Sequence, residues 1–305
     1  MSAKIKVKLL LGMIITILVI YYSFKSLGGL DLNALAHLHI NWFLAFISVL
    51  INIYSTYIRG LGYTLGIDST IHRLTALQIV GIGHAANMVL PLHIGDGLRF
   101  AFFPSHYHAL LRTKLVMIPA LADFMAIMMI SLLAVPFSGF KDPRIVRVLW
   151  TLFFLSIALL ALILAMIYFV PPFRRYFSEF LNIKLLYMML WVFYSYVLLL
   201  FATWLGLVAY GFSFMSSLRM SLAVFATTNI IGFIPASPGS VGLFEYSVII
   251  GLAGLGIKQN AALGAGLLLH LIQYVALLPM GFILFMMALH GKYGDSLRNR
   301  LQRKF

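Results

Sequence analysis

Long apolar runs with no charged residue constrain this chain more than any other feature. Sixteen residues separate Lys8 from Lys25, twenty-seven run from Leu32 to Ile58, and twenty-five run from Leu149 to Phe173. Longer runs cover Leu185 to Leu218 and Gln259 to Gly291, and Leu115 to Phe140 is broken only by Asp123. Each approaches or exceeds the roughly 20 residues that a helix needs to cross hydrocarbon. Lipid offers no hydrogen bonds to the backbone, so these runs read as helices that satisfy their own N–H and C=O groups. A β-barrel would alternate polar and apolar residues, whereas LWTLFFLSIALLALILAMIYFV is apolar on every side.

With 62% of its 305 residues hydrophobic and 10% charged, the chain lies outside the range of soluble domains. Its net charge of +14 sits in short clusters at the ends of apolar runs, which suits membrane topology and anionic lipid rather than nucleic acid. Lys4, Lys6 and Lys8 precede the first run; Lys292, Arg298, Arg300, Arg303 and Lys304 lie in a basic tail, 292–305. The positive-inside rule then places both termini in the cytoplasm, in a multi-pass protein of the cell (cytoplasmic or inner) membrane. The first run lacks a small-residue cleavage site and reads as a retained anchor. With no cysteine, disulfides, iron–sulfur clusters and thiol chemistry are excluded.

Two segments depart from ordinary spans by placing Pro and Gly at membrane depth. One, 74–103, contains NMVLPLHIGDGLRF; the other, 220–257, contains NIIGFIPASPGSVGLFEYS. Each has an Asn (Asn87, Asn229), then Pro (Pro91, Pro235), then Gly before an acid (Gly95 before Asp96, Gly242 before Glu245). The two acids are 149 residues apart, and a shift of 149 carries 9–22, 41–58 and 115–136 onto other apolar runs. The expected architecture is therefore all-α: one transmembrane domain over 1–305, with two inverted repeats of about 1–145 and 148–295. It has about six full spans plus two Pro/Gly-interrupted re-entrant hairpins, the plan of many transporters. A rival arrangement, in which both hairpins cross fully, gives ten helices and the same side for the termini.

Broken helices at this depth aim backbone N–H groups and positive dipole ends at whatever fills the gap, and an anionic head group suits such a gap. Asp96, Arg99 and Glu245 are expected to line a shared polar cavity. Asp96 and Arg99, three apart, lie on one helix face and read either as a structural ion pair or as a grip in which the Arg99 fork holds a lipid phosphate. Glu245 follows Pro238, Gly239 and Gly242 and reads as a helix-start carboxylate, stabilising the dipole or facing substrate. Asp123, inside an apolar span, requires a partner, protonation or water. His270 and Gln273, near the position reached by shifting Asp123, are the expected partners, in a structural or proton-coupling role. His37-x-His39 and His106-x-His108 lack metal-site spacing and neighbouring acids, so no metal is expected, and no nucleotide or hydrolase motif implies a cofactor.

At the hairpins the sequence resembles the transmembrane-region family of lysylphosphatidylglycerol synthase, the flippase-like membrane proteins, over nearly the whole chain. The resemblance rests on Asn87, Pro91, Gly95, Asp96 and Arg99, where the family has Glu for Asp96. It rests also on Pro235, Pro238, Gly239, Gly242 and Glu245, similar to the family's Pro-Gly-Gly-x-Gly-x-x-Glu, with Ser240 replacing one Gly. Pro119 and Ala120 stand where the family often has Glu-Arg. The resemblance implies lipid translocation without naming the lipid.

The leading expectation is a flippase, not an enzyme, that moves an anionic phospholipid or polyprenyl-phosphate-type lipid through the cavity. Asn87, Pro91, Gly95, Asp96, Arg99, Asn229, Pro238, Gly239, Gly242 and Glu245 would form the substrate site. An intramembrane head-group transferase with Asp96 or Glu245 as general base is the alternative. A non-catalytic membrane partner of a lipid-modifying enzyme is the third reading.

Overall fold

The computed structural model describes residues 40–67, 69, 71–90, 94–103, 107, 109–140, 143–177, 183–232 and 238–290. The expected first span, the basic tail, Pro91 and Pro235 lie outside them. The described chain forms α1 (Trp42–Gly66), α2 (Arg73–Val89), α3 (Ile94–Phe102), α4 (Ala109–Ser138), α5 (Pro143–Phe169), α6 (Pro171–Phe177) and α7 (Ile183–Ala209). There follow α8 (Phe214–Ile231), a 3₁₀ turn (Pro238–Ser240), α9 (Leu243–Ala253) and α10 (Gln259–His290). No strand occurs among the described residues.

Six of these helices are long and apolar enough to cross a membrane: Trp42–Gly66, Leu115–Ala134, Val146–Phe169, Leu185–Ala209, Phe214–Ile231 and Gln259–His290. Five coincide with expected spans. The sixth, Phe214–Ile231, belongs to the segment expected as the second hairpin. The uncharged run from Leu185 divides because Gly211 takes a positive φ of 110° and the Ser213 hydroxyl caps α8 by accepting from the Ser216 N–H. At α1 the start moves the other way: Asn41 caps Leu44 N, and the helix continues through Arg59 to Gly66. Arg59, the charge that ends the uncharged run from Leu32 to Ile58, is therefore inside a helix rather than at its boundary.

The centre of the bundle is an antiparallel pair, α1 and α7. At one end the Asn41 N–H donates to the Ala209 carbonyl at 2.8 Å, and partway along the Ser48 hydroxyl donates to the Ala202 carbonyl at 2.8 Å. At the other end Gly66 lies against the Met188 backbone, where a Cβ would come within 2.6 Å of Met188 Cα. Small residues give membrane helices their close approach, since lipid tails are as apolar as leucine and burial alone does not drive helices together.

Around this pair, α2 packs on α10 and α8 packs on α4, while α3 folds back on α2 and α9 on α8. Helices α3 and α9, with 9 and 11 residues, rise only about 14–17 Å, short of a hydrocarbon core of about 30 Å. Ile71 before α2 and Phe103 after α3 share one apolar cluster with Tyr63, Leu115 and Met188, and the Thr64 hydroxyl bonds the Ile71 carbonyl. Tyr210 and Phe212 before α8, and Leu255 and Ile257 after α9, share another with Ala45 and Ala209. The flanks of the α2–α3 segment thus share a cluster with Tyr63 and Met188, and those of the α8–α9 segment share one with Ala45 and Ala209. Gly239 lies against the Met88 carbonyl at the end of α2.

Gly66→Ala should therefore lower the stability of the purified protein by about 1–3 kcal/mol, because the contact it invades is backbone and cannot rotate away. Gly97→Ala in α3, where a Cβ meets nothing within 4 Å, should leave it unchanged. Thermal melting in detergent distinguishes the two.

Candidate functional site

Between the hairpins and the α1–α7 pair lies a cavity of about 330 Å³. Its wall takes residues from α1, α2, α7, α8, α9 and α10, and most of its polar groups are neutral: serine and threonine hydroxyls with the carboxamides of Asn52, Asn87, Asn229 and Gln273. The charged member is Arg59, only 7% exposed and buried at mid-bundle.

Four groups surround the Arg59 guanidinium. Nη1 lies 3.3 Å from Asp123 Oδ1 on α4 and 3.3 Å from His84 Nε2 on α2, Nε reaches the Ser195 hydroxyl at 3.4 Å, and the plane sits 4.5 Å from the Tyr196 ring centroid. A guanidinium only donates, so His84 must accept at Nε2, which makes it a neutral imidazole there. The ion pair is in contact yet poorly aligned: Asp123 Oδ1 and Arg59 Nη2 both lack a hydrogen-bond partner among the described residues. Buried polar atoms are nearly always satisfied, so these two, with almost no accessible surface of their own, make the buried pair costly.

Asp123 was expected to meet His270 and Gln273; its partner is Arg59. Positions related by the 149-residue shift are counterparts, not neighbours, and α4 packs on α8 while α10 packs on α2. Gln273 lines the cavity, and His270 belongs to another cluster.

In the first hairpin, Asp96 Oδ1 lies 3.4 Å from Arg99 Nη1 and accepts from Asn87 Nδ2 at 3.3 Å. The pairing read from their spacing is present, but the expected place on the cavity wall is not. The Asp96 side chain is 44% exposed, and Arg99 is buried with its stem across Gly83, where a Cβ would fall 2.6 Å from Arg99 Cγ. Gly95 lies on the Gly83 carbonyl and the Asn87 side chain, leaving no room for a Cβ. These residues lock α3 onto α2, and only Asn87 of the group reaches the cavity.

In the second hairpin, Glu245 also lies behind the wall. One carboxylate oxygen accepts the Gly242 N–H at 2.7 Å, closing the start of α9, and the other lies 2.6 Å from His270 Nδ1. His270 Nε2 lies 2.9 Å from the Gly239 carbonyl. A carbonyl only accepts, so Nε2 carries a proton, and the short Nδ1–carboxylate contact needs another. The pair therefore holds two protons and is neutral overall, whether ionised or not, as a dry interior requires. It pins the turn at Pro238 and Gly239 (φ 61°) to α10, while Gly239 itself and Asn229 line the cavity.

Arg59, His84 and Tyr196 were missed in the sequence. One signal was available: Ser48, Asn52, Ser55 and Arg59 recur every three or four residues, a polar stripe along an otherwise apolar helix.

Removing one partner of the buried pair leaves the other uncompensated. Arg59→Met should cost about 3–5 kcal/mol of stability, and the double variant Arg59→Met with Asp123→Leu should recover most of it. Melting of the three proteins in detergent checks this.

Comparison with known proteins agrees with the two hairpin motifs. No curated protein and no solved structure matches the chain. A family model described as the lysylphosphatidylglycerol synthase TM region matches residues 9–281, nearly the full length. The chain is a multi-pass membrane protein that belongs to the lysylphosphatidylglycerol synthase transmembrane-region family.

Proposed function

We propose that this protein translocates an anionic lipid across the cell membrane, holding the head group in the cavity on Arg59 while the acyl chains stay in the bilayer. The observation that carries this reading is a buried guanidinium, Arg59, with one nitrogen unsatisfied, on the wall of a polar cavity to which both hairpins contribute. Arg59 takes the phosphate-gripping role that the sequence suggested for Arg99.

Alternating access needs two cavity shapes of similar energy, which inverted repeats provide. Support for that plan comes from the element order. A shift of 149 residues carries α3 and α4 onto α9 and α10 to within three residues at each end and α1 and α2 onto α7 and α8 with an offset of six to eight, and the packing of α2 on α10 recurs as that of α8 on α4. Two short helices whose flanking residues cluster at opposite ends of the α1–α7 pair support re-entry from opposite faces. Both termini then lie in the cytoplasm.

The transferase alternative needs a general base at the substrate. Asp96 and Glu245, its candidates, are engaged behind the wall with Arg99 and His270, which favours translocation.

Proteoliposomes carrying fluorescent phosphatidylglycerol test the proposal. Wild-type protein and Gly97→Ala should move the label between leaflets, and Arg59→Gln should slow it by about ten- to a hundredfold, the weight of one charge-assisted hydrogen bond of about 1.5–3 kcal/mol. Label that stays in its leaflet with every variant would refute translocation, and a chemically altered lipid recovered from the vesicles would favour the transferase.

A further inference from the structure

Resting on the translocation reading, we infer that Glu245 and His270 form a proton-binding site, and that one proton crosses the membrane with each lipid, bound in the same state as the lipid.

Among the described residues three acid–base pairs occur: Arg59 with Asp123, Arg99 with Asp96, and His270 with Glu245. A guanidinium does not give up its proton, so the basic partner in the first two keeps its charge. An imidazole does, which makes the third the pair that can exchange a proton.

The geometry says what holding that proton does. His270 Nε2 donates to the Gly239 carbonyl at 2.9 Å, and a second proton lies between Nδ1 and the Glu245 carboxylate across 2.6 Å. Without the second proton, a lone pair on Nδ1 would face a carboxylate. One negative charge would also remain among rings, with those of Phe244 and Tyr274 each 4.7 Å from the imidazole. The proton therefore leaves only as the pair parts and water reaches it. It passes from Nδ1 to water, the imidazole becomes neutral, and the Glu245 carboxylate keeps the Gly242 N–H.

No neighbouring charge substitutes for that proton. Of the elements packed on α9 and α10, α1, α2 and α7 turn Arg59, His84 and Tyr196 to one another. Arg219 of α8, and Lys258 between α9 and α10, are exposed. The titratable group that faces the pair is Tyr274, against Gly239.

The proton is tied to the lipid seat through the turn at Pro238–Ser240. Gly239 and Ser240 line the cavity beside Met88, followed by Leu243 and Phe244 of α9. This wall is pinned to α10 only while the second proton is held, so losing the proton loosens the seat, and lipid and proton favour each other's binding. A lipid with one negative charge and one proton together carry no net charge through hydrocarbon, which removes the cost of moving a bare charge.

The test uses the full-length protein in phosphatidylcholine vesicles with a trace of fluorescent phosphatidylglycerol, the membrane voltage clamped, and protein-free vesicles as background. Under a pH difference of about one unit, one proton per lipid should gather the label on the alkaline side to a ratio of about ten, the equivalent of about 1.4 kcal/mol. In Glu245→Gln the amide oxygen can still accept the Gly242 N–H and the amide N–H can donate to a neutral Nδ1, so the bridge stays and the exchangeable proton goes. This variant should melt near wild type and show a label ratio of about one. Wild-type protein that moves label without regard to the pH difference, or gathers it on the acid side, would overturn the inference. So would a Glu245→Gln protein that still accumulates label, or one that melts far below wild type, since the amide can make the bridge.

A second readout needs no transport. In this cysteine-free chain, Ser247→Cys puts a thiol at a buried position of α9. Its labelling by a small thiol reagent should rise with pH several-fold more than in the double variant with Glu245→Gln, and an equal rise in both would overturn the inference. If labelling follows the pair but no lipid crosses, translocation fails and the proton site stands. If lipid crosses and neither readout depends on Glu245, translocation stands and the proton site falls.

Discussion

An arginine and an aspartate buried inside apolar helices are costly to desolvate, and the arrangement around Arg59 and Asp123 follows from that cost. Their contact at 3.3 Å joins α1 to α4, helices that lie far apart in sequence. Tyr196 and Ser195 from α7 and His84 from α2 complete the shell, so one guanidinium ties together four helices. A pair kept only for stability could be replaced by packed apolar residues. Here Arg59 Nη2 and Asp123 Oδ1 stay unsatisfied, so the pair joins its helices at a cost.

The two hairpins solve a different problem with similar means. Each brings a helix end to the cavity, where unsatisfied backbone groups need protein or water around them. In the first, Gly95 and Gly83 allow α3 and the Arg99 stem to press onto α2. In the second, Glu245 and His270 hold the Gly239 turn through a neutral, two-proton bridge. With Gly239 set against the Met88 carbonyl, the cavity beside them has walls from both halves of the chain.

Much of this was legible in the sequence, and the failures have physical causes. Uncharged runs located five spans because hydrocarbon length is a hard constraint, and the Gly–acid positions at Gly95–Asp96 and Gly242–Glu245 fall at the starts of the two short helices α3 and α9. The spacing of Asp96 and Arg99 gave their pairing, since helical geometry is local. Arg59 was misplaced because a charge at the end of an apolar run looks like a boundary until its partner, sixty-four residues on, is known. Asp123 was matched to the wrong helix because a repeat shows which positions correspond, and correspondence says nothing about adjacency. Glu245 and Arg99 were expected on the cavity wall, yet side-chain direction at a broken helix depends on packing that no spacing records.

The most direct measurement is a cryo-electron microscopy structure of the protein in nanodiscs of phosphatidylglycerol. The account predicts head-group density between the hairpins, with a phosphate oxygen within hydrogen-bond distance of the Arg59 guanidinium and Asp123 still beside it. Lipid phosphate resting instead on Arg99 beside Asp96, with nothing bound at Arg59, would contradict it.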